Sequence, residues 1–74
     1  MAKKGDTGVY RVTEVIGTSS SSWEDAAKNA VATASSTIRD LRIAEITKLD
    51  IRLEEGGKVV QFRARVSLSF KYEA

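Results

Sequence analysis

The chain has 74 residues, a formal charge of +2 from 12 basic and 10 acidic side chains, and neither cysteine nor histidine. That length holds one domain, and so short a chain buries only about 60% of the surface its unfolded state exposes. Disulfides, zinc sites built on thiolate or imidazole, and Ser-His or Cys-His nucleophile pairs are excluded, which leaves self-association as the expected source of extra stability.

The charges are dispersed, with Lys3-Lys4 the one clustered basic pair. A nucleic-acid footprint gathers basic residues on one element, and an RNA-reading sheet shows aromatics beside them. Neither pattern is present, so no nucleic-acid partner is expected. No apolar run approaches the ~18 residues of a membrane span, and the N-terminus lacks the apolar stretch of a signal peptide. The expectation is no membrane partner and a cytoplasmic location.

Residues 1–7 read as a flexible N-terminal segment, and residues 8–74 as a single domain. The first strand, Val9 to Gly17, has no clean alternation, which predicts neighbours on both of its faces. A serine run, Ser19 to Ser22, then closes into a helix start. Ser21 and Glu24 have the S-x-x-E spacing of a capping box. Trp23, Ala27, Ala30, Val31, Ala34, Ile38 and Leu41 recur at helical spacing and predict one amphipathic helix over 22–40. The phase of Trp23 matches the apolar stripe, placing it in the core at the helix entrance.

From Ile43 to Leu53 the chain is β-rich, with Leu49, Ile51 and Leu53 opposite Lys48, Asp50 and Arg52. The phase slips near Glu45-Ile46, where a bulge is expected. Glu54-Glu55-Gly56-Gly57 supplies the glycines of a hairpin turn. Beyond it, Val60, Phe62, Ala64, Val66, Leu68, Phe70 and Tyr72 alternate with polar residues, the signature of a long strand with one apolar face. The predicted class is α+β with order β-α-β-β, a three-stranded antiparallel sheet packed on one amphipathic helix, the third strand lying in the middle. A helix of about 19 residues spans about 28 Å, and a strand of about 15 residues reaches about 50 Å. The helix is too short for the strand beneath it.

Chemistry-bearing patterns are few. No Gly-rich phosphate loop occurs. The serines are accounted for by the loop, the cap and the polar strand face, although a Ser-Lys pair is not formally excluded. Asp50, Glu54 and Glu55 near the hairpin are candidate oxygen ligands for a hard cation, with solvated strand-end charges as the simpler reading. The strand face bearing Arg63, Arg65 and Lys71 is either solvated or the wall of an anion site.

Tyr10 to Ser19, Ser22 to Ala27 and Val66 to Lys71, together with the element order, resemble the dodecin family. The resemblance implies a hollow homododecamer that binds small ligands and is not an enzyme. Many members bind flavin as stacked pairs. Flavin-binding members have a tryptophan at the start of the second strand, where this chain has Ile43, and a glutamine on the third strand, where it has Arg63. Gln61 lies two residues away on the same face, and Arg65 is a further possible contact. An aliphatic side chain offers no ring to stack on, and a guanidinium cannot accept a hydrogen bond. The pattern is similar to the subgroup described as calcium dodecins. The cofactor is accordingly left open between weak or absent flavin and calcium, and the alternatives to an ion- or ligand-storing shell are a dodecin that retains weak flavin affinity and a purely structural or partner-docking shell.

Overall fold

A computed structural model describes residues 8–72. The expected N-terminal segment, residues 1–7, lies outside the described residues. Strand β1 (Tyr10–Ser19) leads into helix α1 (Trp23–Ser35), followed by β2 (Leu41–Glu54), a 3-10 turn (Glu55–Gly57) and β3 (Lys58–Lys71). The sheet order is β1-β3-β2, with both pairings antiparallel. The expected α+β architecture is the one observed, with β3 in the middle. No helix among the described residues is long and apolar enough to cross a membrane.

Between β1 and α1, Ser19 is the buried polar residue that organises the chain. Its hydroxyl accepts from the backbone N–H of Ser21 at 2.9 Å and donates to the Asp25 carboxylate at 2.7 Å. With the Ser21 amide committed to this local turn, the cap falls one residue later than the spacing predicts. Ser22, extended at φ −167°, accepts from the Asp25 N–H at 3.0 Å, as an N-cap serine does.

The helix ends at Ser35 rather than at residue 40. Here the hydroxyls of Ser35, Ser36 and Thr37 donate to the carbonyls of Ala32, Thr33 and Ala34. Such local bonds compete with helix continuation. Ile38 and Leu41 still pack on the core beyond the helix end, which explains why the apolar periodicity runs past it. Asp40 turns the chain into β2 at φ 59°, a conformation that asparagine and aspartate tolerate better than other side chains.

The core is a thin seam. Ala26, Ala27, Ala30 and Ala34 of the helix meet Ala64, Val66 and Leu68 of β3. Alanines let helix and sheet approach closely, and the tightest approach is at Gly17 of β1. A Cβ there would overlap the Ala26 carbonyl and lie 2.8 Å from the Ala30 Cβ.

The register assigns the two faces of the sheet. Phe62, Ala64, Val66, Leu68 and Phe70 of β3 lie on the helix side, paired with Val15 and Gly17 of β1 and with Ala44, Ile46, Leu49 and Ile51 of β2. The helix covers the β1–β3 half and leaves β2 bare: Ile46 and Leu49 are each 52% exposed. On the opposite, outer face of β1, Val12 and Ile16 are exposed. Only the helix side of β1 is covered within this chain, so the expectation of neighbours on both faces is met on one.

Strand β2 changes register between Leu41 and Ile43, between Ile46 and Lys48, and between Arg52 and Leu53. The anticipated slip sits at Thr47, whose hydroxyl donates to the Arg65 carbonyl at 3.2 Å. At the hairpin, Gly56 and Gly57 take φ values of 81° and 82°, the left-handed turn conformation expected of them.

Candidate functional site

The outer face of the sheet collects most of the residues singled out from the sequence. Across it run rows of directly paired positions: Val12–Ser69–Ile43, Glu14–Ser67–Glu45, Ile16–Arg65–Lys48 and Thr18–Arg63–Asp50, with Gln61 opposite Arg52 nearer the hairpin. Ile43 and Arg63 therefore share a face without being neighbours. Six residues of β3 separate their rows, about 20 Å at 3.3 Å per residue. Gln61, Arg63 and Arg65 stand at successive positions of one line.

Arg63 is already engaged. Its Nε and Nη2 donate to the two carboxylate oxygens of Asp50 at 2.7 and 3.0 Å, the parallel two-bond geometry that arginine forms with carboxylates. The hydrogen-bonded Arg63 guanidinium holds the Asp50 carboxyl below its ordinary pKa, helped by the nearby charges of Arg65 and Lys48. The same pairing raises the pKa of Arg63.

The backbone of this row is also tied to the helix. The Trp23 indole N–H donates to the Asp50 carbonyl at 2.9 Å, and the Asn29 amide donates to the Thr18 carbonyl at 3.0 Å. Side chains of α1 thus hold both edge strands at the level of Arg63. Trp23 sits edge-on to Phe62 with centroids 5.1 Å apart and remains 39% exposed. It packs against the margin of the core rather than inside it.

The three carboxylates considered for a cation do not converge within one chain. Asp50 is held by Arg63, Glu54 ends β2 opposite Lys58, and Glu55 begins the turn. Asp50 and Glu54 are four residues apart on a strand, about 13 Å. Among the described residues no three acidic side chains cluster where they could hold a metal ion.

Comparison with known proteins gives this arrangement its context. The dodecin family model matches residues 9–73. The chain belongs to the dodecin family. It is 40% identical over 63 residues to the calcium dodecin of Mycobacterium tuberculosis, covering 85% of this chain and 87% of that one. The structure of dodecin from Streptomyces coelicolor superposes with a TM-score of 0.83 at 39% identity, over 90% of this chain and 94% of that one. The crystal structure of the M. tuberculosis calcium dodecin, described as having a novel calcium-binding site, superposes with a TM-score of 0.77 at 38% identity, over 88% and 91%.

Sequence reading missed three features of this dodecin. The Asp50–Arg63 pair depends on a register that includes a bulge. The Trp23–Asp50 bond joins residues 27 apart in the chain. Lys48, the polar alternate to Leu49 in the sequence, is set opposite Arg65 by the register. The second has no local signal. The other two share one, the phase slip near Glu45-Ile46.

A pH dependence follows from the ion pair. Because the folded-state pKa of Asp50 is lowered, the pair stabilises the fold above the unfolded carboxyl value and loses that contribution as pH falls through the folded value. Thermal midpoints of the native protein and Asp50→Asn should therefore differ at neutral pH and converge in acid, below the ordinary carboxylate range. A difference that persists unchanged into acid would mean the pair does not bear on stability.

Proposed function

We propose that this dodecin assembles into a hollow homododecamer that binds and stores or buffers a small ligand or cation without transforming it, with the family's flavin site altered. The observation that carries the reading is the bare helix-side face of β2. Ala44, Ile46, Leu49 and Ile51 form an apolar stripe continuous with the core seam, flanked by an open groove of about 340 Å³ against Ala27, Val31 and Ala32. A second copy of the chain covers such a stripe. Light scattering should give a mass near twelve times 8.1 kDa. A stable monomer at micromolar concentration would overturn the assembly.

The altered flavin site rests on Ile43 and on the commitment of Arg63 to Asp50. Riboflavin, followed by fluorescence quenching, should bind no tighter than about tens of micromolar, about 6 kcal/mol of binding free energy. Ile43→Trp together with Arg63→Gln should strengthen both binding and quenching, and either change alone should do less, because stacking and edge recognition act on one ligand. Nanomolar affinity in the unmodified protein would show that the flavin site is intact.

Calcium is the second reading, favoured by the likeness to the M. tuberculosis protein. Since Asp50, Glu54 and Glu55 of one chain do not converge, a site made from them needs carboxylates of several copies. Millimolar calcium should then raise the melting temperature as RT ln(1 + [L]/Kd), and amide replacement of the contributing carboxylate should remove the rise. An unchanged melting curve would leave these residues as solvated charges.

A further inference from the structure

The outer face of the sheet carries a pair of like charges directly opposite each other, Lys48 on β2 and Arg65 on β3. Facing like charges in a sheet repel. This pairing is created by the bulge. Without the extra residue at Thr47, Thr47 would face Arg65 and Lys48 would turn to the helix side, exchanging places with the apolar phase. Bulges re-aim side chains in this way, often beside binding sites. The neighbouring row adds Arg63, and Arg52 lies beyond it.

One carboxylate stands among these cations. The Asp50 side chain takes both hydrogen bonds of the Arg63 fork and lies close enough to Arg65 and Lys48 to feel their charges. Among the described residues, no carboxylate oxygen comes within 4.0 Å of the side-chain nitrogens of Lys48, Arg52 or Arg65. Lys48 and Arg65 put two positive charges in one row, and the Arg63 and Asp50 charges of the row beside it cancel. Lys48 and Arg65 are both exposed and open to a ligand. On the far side, Glu14 and Glu45 flank Ser67 in the adjoining row and bound the positive region with repulsive charge.

We propose that Lys48 and Arg65 form an anion site on the outer face of the sheet whose ligand is a phosphate group. A dianionic phosphate matches the excess charge. Its several acceptor oxygens can bridge an ammonium and a guanidinium held side by side, where a single carboxylate offers half the charge. The recognised group is the same whether the phosphate is free or carried on an organic molecule. Both residues of the site belong to one chain.

The test compares melting of the native protein in sodium phosphate and in sodium chloride at equal ionic strength, since screening alone relieves the repulsion in either salt. Phosphate should give a saturable increase beyond chloride. Calorimetric titration with inorganic phosphate should show binding about tenfold or more weaker in Lys48→Gln/Arg65→Gln. That variant should be no less stable than the native protein in chloride. Arg65→Lys should retain most of the affinity, and Asp50→Asn, which removes the competing carboxylate and frees the Arg63 fork, should increase it. Glycerol phosphate binding as tightly as inorganic phosphate assigns recognition to the phosphate group. Strong preference for the free ion limits the site to inorganic phosphate. Equal responses to phosphate and chloride, a double variant that keeps the phosphate response, or an Asp50→Asn variant with weakened affinity would overturn the proposal.

Discussion

Replacing Gly17 by alanine is expected to cost about 3 kcal/mol or more, read as lost soluble yield or a thermal midpoint lowered by more than about 10 °C. The added methyl meets the Ala26 carbonyl and the Ala30 Cβ at 2.8 Å. A carbonyl inside a helix cannot rotate away as a flexible side chain can, so the helix must lift from β1. Lifting it opens the alanine seam along the length of α1. Gly56 is the control, because nothing lies within 4 Å of a Cβ there and its φ is 81°. Gly56→Ala should cost only about 1 kcal/mol, from the strained backbone. Two glycines thus fail for different reasons. A Gly17→Ala protein that melts like the native one would mean that α1 packs farther from β1 than described.

Ile46→Asp is expected to abolish assembly. The side chain is 52% exposed in one chain and sits at the centre of the bare β2 stripe. If a second copy covers it, aspartate buries an unpaired charge in every contact, at about 3 kcal/mol or more each, beyond a hundredfold in the association constant. Ile46→Val should assemble normally, because it removes one methyl from an otherwise unchanged surface. Light scattering of the three proteins at equal concentration separates the cases. An Ile46→Asp protein with the native mass would show that this face remains in solvent.

The legible parts of the sequence were those with a period. The alternation of β3 announced a strand with one apolar face, and the helical spacing from Trp23 onward announced α1. What the periods could not reveal was where each element stops and which partner each side chain meets. Ile38 and Leu41 extended the apparent helix because they reach the core from beyond its end. The cap moved from Ser21 to Ser22 because the Ser19 hydroxyl takes the Ser21 amide, a competition that spacing does not display. The position of Arg63 was readable, but its partner was not. Asp50 meets it only because the bulge at Thr47 shifts the remainder of β2 by one residue.

Asp50 joins two bonds that are otherwise unrelated. Its carbonyl receives the indole N–H of Trp23, and its carboxylate holds the fork of Arg63. A displacement of that residue reaches both ends at once. Trp23 is the chain's single tryptophan, so the protein carries an intrinsic optical probe one residue away from the charges of its outer face. A ligand that draws Arg63 off its carboxylate would alter the polarity and hydrogen bonding of the indole and shift its emission, without any label.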